Sequence, residues 1–354
     1  MPVTIDKLQA LPGWAANGGW RPQKAPGLRH VRNGCVSIAL VNNMPDAALE
    51  ETELQFSSLI EAAAGDVPVR MKFYSLPSIV RAGRAQERVA NEYFGLDDLW
   101  NSRFDGVIIT GTEPRQPDLR KEPYWADLAK TFDWAEQNTK SAVLSCLAAH
   151  AGVLHSDGIQ RQRLSDKRFG LFEERKTCEH ALVRGATDTM PFPHSRWNEL
   201  RSDHLGSAGY SVLTASAEAG ANLFVKAKRE SLFVHFQGHP EYGAQTLLKE
   251  YRRDVGRFLR KERETYPNVP CGYFDPEAAE LLADFREYAI KSGSAEAMKS
   301  FPDQAIARRL TSPWHAAAVC VYRNWLHYVA SGEFKRVVSA STAWSQPMLK
   351  QRAL

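Results

Sequence analysis

The chain has 354 residues, 44% of them apolar and 24% charged, which is typical of a globular protein with a substantial core. No run of about 18 apolar residues occurs, and this excludes a helix that spans a membrane. The N-terminus lacks the unbroken apolar stretch of a signal peptide, so we expect a cytoplasmic protein. The 45 basic and 41 acidic residues leave a net charge of +4, too small to predict a nucleic-acid partner.

The five cysteines lie far apart and include no CxxC pair, so neither a metal site nor a disulfide framework is predicted. In a reducing compartment, one of them can instead serve as a working thiol. A basic stretch at residues 252–263 is interleaved with acidic residues. This pattern favours a solvated helix face over a nucleic-acid site.

Short apolar strands and amphipathic helices alternate through the first part of the chain. Strands that are apolar throughout and are joined by helices indicate a parallel sheet covered on both faces. The predicted strands are residues 35–41, 69–73, 106–110 and 141–145, and the predicted helices are residues 46–64, 125–135 and 147–155.

The pattern loosens after residue 205, where three further strands and two helices are predicted. We expect an N-terminal extension (1–34), an α/β catalytic domain (35–264) and a C-terminal segment (265–354) with a packing helix. Residues 265–313 show no strong periodicity and are predicted to be an insertion or a lid. The later strands are residues 210–215, 223–228 and 231–236, and the later helices are residues 244–263 and 316–329.

Cys146 lies between an apolar strand and a helix and is followed by Leu147, Ala148 and Ala149. This is the context of a nucleophile elbow, in which a tight turn exposes the side chain and small neighbours let the backbone crowd. A thiol at a helix N-terminus has a lowered pKa and lies beside N–H groups that can receive an oxyanion. A buried core cysteine is the alternative interpretation.

A cysteine nucleophile needs a base, and His239 is the best placed of the ten histidines. It follows an apolar strand in the sequence GHPE, two residues before Glu241. If this segment is extended, both side chains project to one side, and Glu241 can orient the imidazole. The pattern predicts a Cys146–His239–Glu241 triad, against the alternative of a turn histidine beside an exposed glutamate.

Seven stretches of the chain, in order between about residues 35 and 330, resemble the homoserine O-succinyltransferase family. The resemblance implies a parallel flavodoxin-like sheet of the class I glutamine-amidotransferase-like fold. The stretches are NMPDAALEETELQF (43–56), DGVIITG (105–111), the Cys146 turn with Ala151 and Gly152, KRFGLFE (167–173), PHSRWNE (193–199), GHPEYGAQTLLKEYRRD (238–254) and NWLHYV (324–329).

The resemblance implies transfer of an acyl group from a coenzyme A thioester to the hydroxyl of L-homoserine in methionine biosynthesis. Cys146 would carry the acyl group as a thioester, with ping-pong kinetics, and no cofactor or metal is implied. His239 would act as the general base, oriented by Glu241. Backbone N–H groups of Leu147 and Asn43 would bind the oxyanion.

The family's binding positions for the amino-acid acceptor match Lys167, Ser195 and Arg253. An α-carboxylate suits a guanidinium, and Glu250, one turn before Arg253, can hold it. The family position that selects the acyl donor corresponds to Arg115. A cation there would pair with the free carboxylate of succinate, so the resemblance favours succinyl-CoA over acetyl-CoA.

Other functions stay open from the sequence. Serine differs from homoserine by one methylene, which is worth about 1–3 kcal/mol of discrimination, so a serine or acetyl transferase remains an alternative. A glutamine amidotransferase-like cysteine hydrolase would use the same triad, and a non-catalytic binding protein would keep only the fold. We expect no nucleic-acid or membrane partner and a homodimer. Trp14, Trp20, Trp325 and Leu326 either form its surface or pack in the core.

Overall fold

The computed structural model describes residues 3–7, 23–24 and 34–331. Trp14, Trp20 and the part of the predicted C-terminal segment after residue 331 lie outside these ranges. Within them, no helix is both long and apolar enough to cross a membrane.

The strands, numbered in chain order, are β1 (Val3–Ile5), β2 (Gln23–Lys24), β3 (Val36–Val41), β4 (Val69–Tyr74), β5 (Phe104–Ile109), β6 (Thr139–Ser145), β7 (Gln162–Lys176), β8 (Thr189–Glu199), β9 (Ser211–Val212), β10 (Thr214–Ser216), β11 (Gly220–Ala221), β12 (Leu223–Lys228) and β13 (Ser231–Phe236).

The helices lie between and after these strands. They are α1 (Leu49–Ala64), α2 (Gly83–Glu92), α3 (Leu96–Trp100), α4 (Trp125–Asn138), α5 (Leu147–Asp157), α6 (Ser202–Ser207), α7 (Thr246–Leu259), α8 (Pro276–Ser292), α9 (Asp303–Ala307) and α10 (His315–Ser331).

Nine strands form the main sheet, in the order β2-β1-β4-β3-β5-β6-β13-β12-β9. All neighbouring pairs are parallel except those of β12, which runs antiparallel to β13 and β9. Alternate residues of β3 face opposite layers: Ile38 and Leu40 pack in the core with α1 and α10, whereas Ala39 and Val41 pack in the core with α4 and α5. The predicted α/β architecture, a mainly parallel sheet with helices on both faces, is therefore confirmed.

A second sheet of four strands, β11-β10-β7-β8, was not predicted from the sequence. Its two longest strands, β7 and the edge strand β8, form an antiparallel hairpin in which Phe169 pairs with Ser195 and Gly170 with His194. The first half of β7 is largely exposed, so the apolar alternation that marks a strand is missing there. This hairpin carries two of the predicted binding residues toward the edge of the main sheet.

The segment at 265–313 is not irregular, as its composition suggested, because α8 and α9 lie within it. Asp275 caps α8 by accepting the Ala278 N–H at 2.8 Å, Pro276 is the first helical residue, and Gly293 ends the helix with φ 58°. Leu282 and Phe285 are buried in the same core as α7. The division at residues 34 and 264 stays a prediction, although β1, within the N-terminal extension, pairs with β4.

The C-terminal helix α10 packs inside the protomer. Trp325 and Leu326 are almost fully buried, and the Trp325 indole donates to Ser141 Oγ at 2.9 Å. A side chain at Gly106 of β5 would meet the Trp325 ring at 2.7 Å, so glycine makes room for the indole. The core-packing alternative is confirmed for these two residues, and a dimer surface built on them was wrong.

The five arginines of the 252–263 stretch are paired with carboxylates. Arg252 lies 3.4 Å from Asp303, and Arg257 lies 3.3 Å from Glu113. Arg260 pairs with Glu262 at 2.7 Å. This pairing is what a solvated helix face predicts.

Candidate active site

Cys146 forms the turn between the central strand β6 and helix α5. Its backbone has φ 50° and ψ −109°, a strained conformation for a residue with a side chain. The turn is held by the Cys146 N–H, which donates to the carbonyl of Phe236 at 2.8 Å on the neighbouring strand β13. The half-buried thiol therefore lies at the N-terminus of α5, at the carboxyl edge of the sheet, as the nucleophile-elbow prediction requires.

His239 and Glu241 follow β13 and lie in contact, with His239 Nδ1 donating to Glu241 Oε1 at 2.9 Å. The segment is a turn, in which the Tyr242 N–H donates to the His239 carbonyl at 3.2 Å, and not the extended chain assumed from the sequence. Glu241 Oε1 also accepts from Ser145 Oγ at 3.2 Å. The Tyr242 ring stacks on the imidazole with 4.1 Å between ring centroids, so the histidine is held on two sides.

The surroundings of His239 favour its protonated form. Burial alone would lower the pKa of this imidazole, but attraction to Cys146 and Glu241, with hydrogen bonds to both, raises the pKa well above its ordinary value. These surroundings stabilise a positive charge on the imidazole. The carboxylate that orients the ring also stabilises its positive charge.

The Leu147 N–H, the first of α5, is one predicted oxyanion donor, and it has no hydrogen-bond partner within the described ranges. The other predicted oxyanion donor was the Asn43 N–H. The structure corrects this prediction, because that N–H donates to Thr110 Oγ1 at 2.8 Å and is not free. Gly111 is the residue that lies beside the Leu147 N–H, since a Cβ atom built on Gly111 would lie 3.0 Å from the Leu147 nitrogen. The Gly111 N–H also has no partner among the residues that the structure describes.

We expect the Gly111→Ala substitution to slow acyl transfer by about 100-fold, the typical cost of one oxyanion donor. The added Cβ would lie 2.6 Å from Leu147 Cβ, which forces the loop away from the elbow. The melting temperature should fall as well, because the backbone must shift to accept the methyl group, so the turnover number is measured well below the melting temperature of the variant. The exposed Gly206 has nothing within 4 Å of a built Cβ, so Gly206→Ala is the matched control. An unchanged turnover number for Gly111→Ala would contradict this assignment.

The predicted acceptor residues Lys167, Ser195 and Arg253 lie together around the supporting Glu250, and Tyr242 connects this cluster to the His239 ring. Lys167 Nζ lies 3.4 Å from Glu250 Oε2, which also accepts from Ser195 Oγ. The pKa of Glu250 is lowered, because Lys167 and the hydrogen bonds outweigh the burial that would raise it. The Arg253 side chain is 48% exposed and lies 3.7 Å from Glu250, so its guanidinium can also reach a ligand.

Two further residues complete this cluster and were not named from the sequence. Tyr242 donates to Glu250 Oε1 at 2.6 Å and so links the cluster to the His239 ring. Asp254 lies 3.2 Å from both Lys167 and Arg253. The spacing of Glu250 and Asp254 on one helix face was the available signal, since residues four apart are neighbours.

Arg115 is exposed, and the structure pairs its side chain with no carboxylate in the described residues. Its backbone N–H and that of Gln116 both donate to Glu122 Oε1 at 2.5 Å. The selection of the acyl donor by Arg115 therefore stays a prediction.

Comparison with known proteins places this geometry in a family. A model described as homoserine O-succinyltransferase matches residues 27–335. The homoserine O-succinyltransferase of Rhodopseudomonas palustris is 43% identical over 296 residues, covering 84% of this chain and 89% of that protein. That of Bradyrhizobium japonicum is 43% identical over 298 residues, covering 84% and 91%.

A solved glutamine amidotransferase from Thermotoga maritima aligns with a TM-score of 0.46 at 12% identity, covering 83% of this chain and 98% of that one. The family match extends over the Cys146 elbow, the His239 turn and helix α7. The chain belongs to the homoserine O-succinyltransferase family.

Proposed function

We propose that this protein is an acyltransferase that moves a succinyl group from succinyl-CoA to the hydroxyl of L-homoserine, a step of methionine biosynthesis. The observation that carries the proposal is the Cys146 elbow, with His239 held by Glu241 and a cluster of cations beside it. The family membership supports the same reaction. Acyl-CoA is a co-substrate in this scheme, and no resident cofactor is needed.

In the first half-reaction, the Cys146 thiolate attacks the thioester carbon of succinyl-CoA. The carbonyl oxygen becomes an oxyanion, which the Leu147 and Gly111 N–H groups receive. The carbon–sulfur bond to coenzyme A then breaks, and the departing thiolate takes the proton of His239. The enzyme is left with a succinyl thioester on Cys146 and a neutral imidazole.

In the second half-reaction, neutral His239 removes the proton of the homoserine hydroxyl as its oxygen attacks the thioester carbon. Breaking the bond to sulfur releases O-succinylhomoserine and restores the thiolate beside a protonated His239. His239 changes from a proton donor in the first half-reaction to a base in the second because the charge beside it changes. Acylation removes the negative charge of Cys146, one of the two groups that raise the His239 pKa. Burial then favours the neutral base.

The test is a product assay with succinyl-CoA and L-homoserine, followed by mass spectrometry of O-succinylhomoserine and free coenzyme A. Acetyl-CoA as donor and L-serine as acceptor test the two transferase alternatives. Ammonia release from L-glutamine tests the amidotransferase-like alternative. O-Succinylhomoserine as the dominant product supports the proposal, whereas a dominant acetyl product, serine product or ammonia release would contradict it.

For the acceptor site, we expect Arg253→Gln to raise the KM for homoserine by about 10- to 100-fold, the value of one charged hydrogen bond. The acceptor α-carboxylate would lose its guanidinium partner, while formation of the acyl-enzyme should not change. The adjacent Arg252, 47% exposed and paired with Asp303, gives the matched control Arg252→Gln. A slower acylation step with an unchanged KM for homoserine would contradict this role of Arg253.

A cytoplasmic location and a homodimer stay predictions. The dimer is tested by light scattering coupled to size-exclusion chromatography. Residues 325 and 326 are excluded from its surface, because they are buried in the protomer.

A further inference from the structure

We propose that Asn43 and Thr110 form a clamp that orients the Gly111 N–H toward the thioester that reacts with Cys146. This inference rests on the proposed function and adds to it two positioning residues for the oxyanion site. A donor stabilises the transition state best when its N–H already points to the place where the negative charge develops. The groups that fix the direction of that N–H therefore affect the rate of acylation.

The sheet sets the direction of the Gly111 N–H. Strand β5 lies between β3 and β6 in the main sheet. In an extended strand, the N–H and carbonyl of one residue point to one neighbouring strand, and those of the next residue point to the other. The Thr110 N–H donates to the Val41 carbonyl of β3 at 3.0 Å. The Gly111 N–H therefore points to the β6 side, where Cys146 follows the strand.

Asn43 holds the same peptide group from the opposite side. Its Nδ2 donates to the Thr110 carbonyl at 3.2 Å, and this carbonyl accepts no other hydrogen bond within residues 34–331. The peptide bond between Thr110 and Gly111 is trans, so its carbonyl and its N–H point in opposite directions. A bond that holds the carbonyl on the β3 side therefore keeps the N–H on the side of the elbow.

The Thr110 hydroxyl completes the clamp. It accepts the Asn43 N–H at 2.8 Å and donates to the Gly111 carbonyl at 3.1 Å. The peptide groups before and after the Gly111 Cα are thus each held by one hydrogen bond. Rotation of either peptide group, which would turn the N–H away from the thioester, breaks one of these bonds.

A third contact fixes which end of the Asn43 amide faces Thr110. Asn43 Oδ1 accepts the Leu76 N–H at 3.3 Å. Turning the amide over would place Nδ2 against that N–H and Oδ1 against the Thr110 carbonyl, and both contacts would be repulsive. Asn43 is 1% exposed and Thr110 is 2% exposed, so neither exchanges these bonds for water without a cost. The clamp is therefore preorganised before the substrate binds.

A buried asparagine can also hold two loops together without serving catalysis, so the experiment compares two reactions of the same thiol. Acylation by succinyl-CoA, at saturating concentration and without homoserine, forms an oxyanion at the thioester carbonyl. Alkylation by iodoacetamide joins the Cys146 sulfur to a saturated carbon and releases iodide, so no oxyanion develops. Both reactions of the full-length enzyme are followed by the mass of the Cys146 peptide, because Cys271 is an exposed second thiol.

The variants remove the two parts of the clamp separately. Asn43→Ala removes the amide, Thr110→Val removes the hydroxyl, and Thr110→Ser keeps the hydroxyl as the conservative rescue. The matched control is Asn324→Ala, since the Asn324 amide also donates to backbone carbonyls, those of Leu182 and Arg184 at 3.0 and 2.8 Å. Changes at buried residues should lower the melting temperature, so rates are measured well below that of the least stable variant.

We expect Asn43→Ala to slow acylation by about 10- to 100-fold and Thr110→Val by about 5- to 20-fold, with alkylation changed by less than about threefold. Thr110→Ser and Asn324→Ala should acylate within about threefold of the wild-type rate. Equal losses in acylation and alkylation would overturn the proposal, because they indicate a disturbed thiol or elbow. Unchanged acylation would overturn it as well. If Asn43→Ala does not fold, the comparison of Thr110→Val with Thr110→Ser decides alone.

Failure of the underlying function has a different signature. In that case, the wild-type enzyme itself would react with iodoacetamide at Cys146 but form no adduct with succinyl-CoA. This result would overturn the proposed function and the role of the clamp with it.

Discussion

The Cys146→Ala variant should form no covalent adduct with succinyl-CoA and should lose acyl transfer by about 10⁴-fold or more. Alanine removes the one atom that can carry the acyl group while fitting the elbow no worse than cysteine. The protein should stay folded, because the turn is held by the backbone bond from residue 146 to Phe236. Loss of activity would then report chemistry and not stability.

The measurement is intact-protein mass after mixing with succinyl-CoA without an acceptor. The wild-type enzyme should gain one succinyl group and lose it again when homoserine is added. Cys271 is an exposed free cysteine, so Cys271→Ala is the control for nonspecific acylation of thiols. An adduct that persists in Cys146→Ala and disappears in Cys271→Ala would contradict the assignment of the nucleophile.

The same experiment separates the ping-pong scheme from direct transfer. A succinyl-enzyme that forms without acceptor requires two half-reactions. Double-reciprocal plots of the initial rate against succinyl-CoA concentration, measured at several homoserine concentrations, should then be parallel lines. Product formation with no detectable adduct, and with intersecting plots, would indicate direct attack of homoserine on the thioester. No product and no adduct would support the non-catalytic alternative.

The core of this fold could be predicted because its signals are local. The strand before Cys146 is apolar throughout, as a strand buried on both faces must be, and the break after it predicts the elbow. The contact of His239 with Glu241 was also predicted, since two residues of separation bring their side chains together both in extended chain and in this turn. Both inferences depend on a few neighbouring residues.

Features that depend on distant partners could not be predicted in this way. The Asn43 N–H is taken by Thr110, 67 residues away, and no local pattern indicates that competition. The β7–β8 hairpin was missed because its first half is exposed and therefore lacks apolar alternation. Helix α8 was missed although Asp275 and Pro276 are local signals for the start of a helix and Gly293 is one for its end.

Glu241→Gln should slow transfer of the succinyl group to homoserine by about 1,000-fold or more, the typical worth of the orienting carboxylate in a triad. Glutamine no longer fixes the tautomer in which His239 presents its other nitrogen to the substrate. The charge also changes, because burial lowers the pKa of His239, and Cys146 and Glu241 are the groups that raise it. In the acyl-enzyme only Glu241 still carries charge, so its removal lowers the pKa of His239 further.

The sign of the pH effect follows from the role of the base. Transfer to homoserine requires neutral His239, and its rate falls as the pH drops through the pKa of the imidazole. A lowered pKa therefore moves the acid limb of the profile to lower pH, while the maximal rate falls. Preformed succinyl-enzyme mixed with homoserine across a pH series gives this profile directly, without interference from the acylation step.

Ser145→Ala is the matched control for this prediction. It removes the 3.2 Å hydrogen bond from Ser145 Oγ to Glu241 Oε1 and leaves the carboxylate charge in place. Loss of one neutral hydrogen bond should change the rate by no more than about fivefold, with little movement of the acid limb. An acid limb that moves to higher pH in Glu241→Gln would show that the Glu241 charge does not stabilise the protonated imidazole. The triad would then need a different orienting group.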